Sequence, residues 1–261
     1  MELGLEGKIA LITGGSRGIG RALARRLADE GCALMLVART ERDLVHAAAD
    51  IGGATGRRVE IAVADLATRE GTDAASAAAK ATFGRLDILV NNAGAGRIGD
   101  FFSLTDEDWR YAFANKFFAM VRMSRALWPL LTDARGSVVN IAGTRGITPA
   151  PHIFISSAVN AAVINFSKAL ANQGLIDDVN VNVVLPGVVA TELHDRYVAE
   201  QAALEGIAAE EVRAKKLAAD GVRRFATVED VADAVAFLVS PTARHVQGTM
   251  TVIDGGGTRT L

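Results

Sequence analysis

Thr13-Gly14-Gly15-Ser16-Arg17-Gly18-Ile19-Gly20 follows an apolar run at residues 9–12 and leads into a helical pattern. A strand, a glycine loop and a helix in that order aim backbone N–H groups and the positive helix end at one point, which suits a phosphate. The glycines let the backbone turn tightly and approach a pyrophosphate with no side chain in the way. Gly14, Ser16, Arg17, Gly18, Ile19 and Gly20 are therefore the candidate phosphate-binding residues. A second position discriminates between dinucleotides. An acidic residue ending the second apolar run would accept hydrogen bonds from the adenosine ribose and repel a 2′-phosphate. The chain has Leu36-Val37-Ala38-Arg39 there, with no carboxylate. Arg39 offers a fork of donors to phosphate, and Arg17 adds a second positive charge. The expected cofactor is NADP(H) in preference to NAD(H). The competing readings are a tight structural turn and two solvated surface arginines.

The elements that must position this loop follow from the hydrophobic pattern. Short apolar runs at 9–12, 33–37, 59–63, 88–90, 137–141, 179–185 and 249–253 are mostly continuous rather than alternating, as for parallel strands covered on both faces. Between them lie Ala/Leu-rich stretches such as 21–29 and 159–171 with apolar residues at helical spacing. Strand and helix repeated this way predict a single-domain, Rossmann-like α/β fold over residues 1–261: a doubly wound parallel sheet of about seven strands flanked by helices. Residues 192–220 depart from the alternation. They read as a polar helix pair that is either plain surface or a lid over the site.

Composition narrows the partners. Half of the 261 residues are apolar and the formal charge is −2, which argues against nucleic acid as the main partner. One cysteine, Cys32, excludes an intrachain disulfide and fits a reducing, cytoplasmic setting. Residues 1–8 carry no signal-peptide pattern, and no apolar run is expected to reach the length of a membrane span. His46, His152, His194 and His245 show no paired ligand spacing, so no metal site is expected.

The chain resembles the short-chain dehydrogenase/reductase family along essentially its whole length. Asp65-Leu66 is similar to the family's acidic contact to the adenine ring, and Asn91-Asn92-Ala93-Gly94 to its Asn-Asn-Ala-Gly element. Asn115 stands where the family keeps a helical asparagine. Pro186-Gly187-Val188-Val189-Ala190-Thr191 resembles the turn that closes on the nicotinamide carboxamide, and the stretch from Val228 to Gly256 the last helix and strand. The resemblance adds Asp65, Leu66, Asn92, Ala93, Gly94, Pro186, Gly187, Val189 and Thr191 to the cofactor-binding residues. It also implies a small-molecule substrate and a homotetramer or homodimer, with helices at 106–131 and 159–171 at one interface.

In that family a serine after the fifth strand orients the substrate carbonyl, and Tyr-x-x-x-Lys opens the next helix. The tyrosine exchanges the proton as hydride moves, and the lysine lowers its pKa and holds the nicotinamide ribose; one helical turn puts both on one face. Residues 161–171 fix the register, and counting back puts Asn160 at the lysine position, Ser156 at the tyrosine and Gly143 at the serine, with Thr144 beside it. The only tyrosines are Tyr111 and Tyr197, outside this segment. Of the four catalytic positions the resemblance retains Asn115 alone. A positioned general acid is worth about 10²–10⁴ in rate, so ordinary carbonyl reduction should be slow unless another group supplies the proton.

Substitutes are few. His152 precedes Ser156 by one helical turn; His194 and Tyr197 lie in the possible lid; Thr144 is a candidate for the orienting hydroxyl; Arg145 suits a carboxylate. Each has a plain surface reading beside the functional one. Lys116 adjoins Asn115, but adjacent residues on a helix face different ways, which places it outside the expected site. Three functions are compatible: an NADP(H)-dependent oxidoreductase with an altered active site, a non-catalytic NADP(H)-binding or partner subunit, and a non-redox lyase or isomerase on the same scaffold.

Overall fold

The computed structural model describes residues 2–94 and 99–259. Seven strands are present among them: β1 (Ile9–Thr13), β2 (Ala33–Ala38), β3 (Val59–Val63), β4 (Ile88–Asn91), β5 (Ser137–Ile141), β6 (Asn180–Pro186) and β7 (Met250–Ile253). They form one sheet in the order β3-β2-β1-β4-β5-β6-β7 with every pairing parallel. Each corresponds to one of the expected apolar runs. β4, β5 and β6 are buried at every residue, the reason their sequences do not alternate.

The helices are α1 (Gly18–Asp29), α2 (Glu41–Thr55), α3 (Arg69–Phe83), α4 (Asp106–Ala112), α5 (Ala119–Ala134), α6 (Phe154–Asp177), α7 (Glu192–Glu205), α8 (Ala209–Asp220) and α9 (Val228–Leu238). Neighbouring strand residues feed opposite layers. Ala10 and Ile12 pack with Leu23, Leu44 and Val235 from α1, α2 and α9. Leu11 packs with Ala79, Met123 and Ala171 from α3, α5 and α6. The connection from β1 turns outward to β2 while β4 lies on its other side, so a crevice opens at the carboxyl ends of β1 and β4.

Two sequence expectations change. The helix expected over 106–131 is interrupted: α4 runs into a π-helical turn, Phe113–Phe118, before α5 begins. Also, α6 is by length and composition long and apolar enough to cross a membrane, with a mean hydropathy of 1.2. It lies instead against the sheet, and a buried polar chain fastens it there. Asn91 Nδ2 donates to Asn140 Oδ1 at 2.9 Å, and Asn140 Nδ2 donates to Ser167 Oγ on α6 at 2.9 Å. Asn91 Nδ2 also reaches Ser124 Oγ on α5 at 3.1 Å.

Candidate active site

Two cavities of about 450 Å³ each open at the carboxyl ends of the strands and meet at Ile19, Gly94 and Thr191. The first is built around the glycine loop. Gly14 sits at φ +68°, and a Cβ there would stand 2.9 Å from Asn92 Nδ2. A Cβ on Gly20 would come within 2.0 Å of the Gly14 carbonyl oxygen, so α1 packs against the loop with no room for a methyl group. The Thr13 hydroxyl accepts from the backbone N–H groups of Asn92 and Ala93 at 2.9 and 3.0 Å, and Asn92 Nδ2 donates to Thr13 O at 3.0 Å. The ends of β1 and β4 are thereby sewn together, which positions the loop after each.

Ser16, Arg17 and Gly18 line this first cavity, as do Leu66, Ala93 and Asn115. Arg39 lines it too, with Nη1 donating to Tyr111 Oη at 2.7 Å. Arg17 lies 3.6 Å from Asp43. Among the described lining residues the one carboxylate is Glu192, from α7 rather than from the end of β2. Asp65 stands outside the lining, exposed, where its Oδ1 accepts from Ala67 N at 3.0 Å in a local turn.

The second cavity holds the remaining expected residues. Gly143, Thr144, Ser156 and Asn160 line it, and Pro186, Gly187, Val189 and Thr191 form another wall. Ser156 and Asn160 are one turn apart on α6, and Asn160 Nδ2 donates to Ser156 Oγ at 3.2 Å. That bond uses an acceptor site on the hydroxyl and leaves its proton free to donate into the cavity. Asn160 Oδ1 is buried with no hydrogen-bond partner among the described residues. Gly143 has φ 177°, extended backbone, and a Cβ there would lie 3.1 Å from Asn160 Nδ2.

Several expected residues are placed differently. His152 is exposed at φ +64° and lines neither cavity. His194 lies edge-on to Phe225 with ring centroids 4.6 Å apart, and burial pushes its pKa down. Tyr197 lines the second cavity. Arg145 lines it as well, 3.9 Å from Asp220, which also pairs with Lys216 at 2.6 Å. Cys32 is buried away from both cavities, its thiol pushed up to about 12 by desolvation.

Sequence reasoning missed Lys116. Asn115 faces the first cavity while Lys116 reaches the second. Adjacent residues do diverge, but the two cavities meet, and the π turn over 113–118 carries both residues at their junction. The Lys116 stem lies against Gly94, where a Cβ would come within 2.6 Å of its Cγ. Its Nζ donates to Ala142 O at 3.2 Å. Burial pushes its pKa down to about 8.

A dinucleotide fits this cleft on three structural grounds: the glycine loop whose Gly14, Gly18 and Gly20 line the first cavity, the guanidiniums of Arg17 and Arg39 in the same wall, and the orphaned Asn160 oxygen. Comparison with known proteins points the same way. The profile of the short chain dehydrogenase family matches residues 8–202. The chain is 33% identical to the 3-oxoacyl-(acyl-carrier-protein) reductase FabG of Escherichia coli (strain K12), over 97% of this chain and 98% of that protein. It is 32% identical to the 2,3-dihydro-2,3-dihydroxybenzoate dehydrogenase of Bacillus subtilis (strain 168), over 98% and 97%. The L-sorbose reductase of Gluconobacter frateurii, solved with NADPH and L-sorbose, superposes with a TM-score of 0.95 at 34% identity over the whole of both chains.

Proposed function

The chain belongs to the short chain dehydrogenase family, and from that premise we propose that it is an NADPH-dependent reductase of small polar carbonyl compounds whose proton-transfer machinery has been replaced. The intact cofactor half of the cleft carries this reading: Gly14 and Gly20 let the loop, β4 and α1 pack closely around the first cavity, and Arg39 follows β2 where a carboxylate would select against a 2′-phosphate. The NADPH bound to the similar sorbose reductase supports it. Bound NADPH supplies the hydride. Asn160 Oδ1 would accept from the nicotinamide ribose, and the Ser156 hydroxyl would hydrogen-bond the substrate carbonyl oxygen and orient it while keeping its proton. Thr144, Arg145 and Tyr197 give the second cavity a polar wall suited to a hydroxylated substrate. α7 and α8, residues 192–220, act as its lid. Gly143, Ser156 and Asn160 stand where the family keeps serine, tyrosine and lysine, so rates fall below those of ordinary members.

The test is a titration with NADPH and NADH followed by nicotinamide oxidation across a panel of ketones and sugars. NADPH should bind more tightly than NADH and be consumed with a carbonyl substrate. The absence of a phenol at 156 favours a second reading, a non-catalytic NADP(H)-binding subunit. Tight NADPH binding with no oxidation across the panel would decide for that second reading. Product formation with no change in nicotinamide absorbance would decide for a lyase or isomerase.

A further inference from the structure

We propose that Lys116 is the general acid of this site, delivering the proton that the residue at 156 is too short to give; the inference rests on the reductase reading above. Lys116 lines the same cavity as Gly143, Ser156 and Asn160. Its ammonium is enclosed there and held by one backbone acceptor, Ala142 O, at 3.2 Å. No carboxylate pairs with it among the described residues. The other charged or titratable groups on the cavity wall are Arg145, Tyr197, Lys216, Asp220, Arg224 and Asp254. Asp220 is engaged by Lys216 and Arg145, Arg224 pairs with Asp230 outside the lining, and Asp254 accepts from the backbone of Gly256 and Thr258. The acids that would keep a lysine permanently charged are therefore occupied elsewhere.

An unpaired, desolvated ammonium releases its proton more easily than one in water, because burial disfavours the charged form. Its position near neutrality matches what a general acid needs. A surface lysine would be too weak an acid. As hydride from the reduced nicotinamide adds to the carbonyl carbon, one Nζ–H bond of Lys116 breaks and the alcohol O–H bond forms. The carbonyl is reduced, the nicotinamide is oxidised, and the neutral amine regains its proton from water. Gly143 contributes by bearing no side chain beside Asn160, which keeps the approach to the carbonyl open.

Two measurements test this. Competitive labelling with acetic anhydride against pH, read by mass spectrometry on the Lys116 peptide in cofactor-free protein, should give a midpoint near 8. A midpoint in the ordinary lysine range, about 10.4, would overturn the assignment. In kinetics, kcat should fall as pH rises through that same midpoint, since the acid must be protonated. Lys116→Met should lower kcat about 10²–10⁴-fold and abolish that limb, with NADPH affinity unchanged. Lys116→Arg keeps the charge but cannot release a proton, so it should be as impaired as Lys116→Met; near wild-type activity would reduce Lys116 to an electrostatic role. Full activity in Lys116→Met with tight NADPH binding overturns the inference and leaves the reductase reading standing, as does loss of activity confined to Tyr197→Phe. Wild-type protein that never oxidises NADPH removes both. Borohydride trapping of a substrate on Lys116 would show a nucleophile and overturn the acid.

Discussion

Arg39, which follows β2 and lines the first cavity, is joined to Tyr111 on α4 by a hydrogen bond of 2.7 Å from guanidinium to phenol oxygen. The contact steadies the guanidinium in the cavity wall and uses one of its donors, and on the proposed reading the others serve a 2′-phosphate. Arg39→Ala should therefore weaken NADPH binding selectively. A hydrogen bond to a charged group is worth about 1.5–3 kcal/mol, so the NADPH dissociation constant should rise roughly 10–100-fold, with NADH affinity little changed. Fluorescence titration with both nucleotides checks it; an equal effect on the two would place Arg39 outside phosphate recognition.

Gly20→Ala should damage both the fold and the cofactor site. The new methyl group meets a backbone oxygen at 2.0 Å, and backbone cannot swing aside as a side chain would. Overpacking of this kind costs about 1–3 kcal/mol. Thermal denaturation should show a lower Tm, and NADPH affinity should fall with it.

Gly143→Ser, Ser156→Tyr and Asn160→Lys made together in a Lys116→Met background should raise generic ketone reduction by about 10²-fold or more over Lys116→Met alone, the worth of a positioned acid. Gly143 is extended, so serine meets no backbone strain, but its Cβ would press on the Asn160 amide at 3.1 Å. The three changes belong together for that reason. A folded variant of this kind that binds NADPH and stays inert would show that residue 156 does not stand at the tyrosine position.

Asn140→Leu should destabilise the protein. Asn140 is fully buried and bridges Asn91 to Ser167, so leucine takes one hydrogen bond from each of two buried partners, which keep only those to Ser124 and to the Val163 carbonyl. The penalty for each unsatisfied group is about 1–3 kcal/mol, and for a chain of this size a loss of about 2 kcal/mol lowers Tm by roughly 4–8 °C. Calorimetry measures this directly.

Asp87 sets an acid limit. Burial alone would raise its pKa, but hydrogen bonds from Arg85, Ile9 N–H and Lys8 outweigh that and hold the carboxyl below its usual range. The folded state thus binds its proton less readily than the unfolded chain. The stabilisation is complete above the unfolded value, about 3.9, and is lost as pH falls through the folded value. Asp87→Asn should lower stability at pH 7 and flatten the acid limb of a denaturation series.

How much of this was written in the sequence differs by element. The strands were visible because parallel strands buried on both faces must be continuously apolar, as β4, β5 and β6 are. The glycine loop was visible because its spacing answers a steric demand. Lys116 was not, because reading a helix as a regular wheel assumes 3.6 residues per turn, and the turn at 113–118 breaks that regularity. The engagement of Asp65 in a local turn and the positive φ of His152 also escaped, since both depend on backbone geometry that residue types leave open. α6 reaches membrane length by mean hydropathy although its polar residues divide between the two sides: Ser156 and Asn160 line the second cavity and Ser167 is buried, while Asn165, Lys168, Asn172 and Gln173 are exposed.

The π turn has a further consequence for how this chain tolerates change. Such a turn stores one residue more than an α turn between the same ends, so the helix here absorbs an insertion without bulging out as a loop. Excising Ala114 would turn the π turn into an α turn between the same ends, leaving α4 and α5 where they are while rewinding the turn that carries Asn115 and Lys116. Ala112, seated against Ile155 and Val159, would keep its socket. A one-residue change of length in this stretch should thus be borne by the fold and felt at the junction of the two cavities.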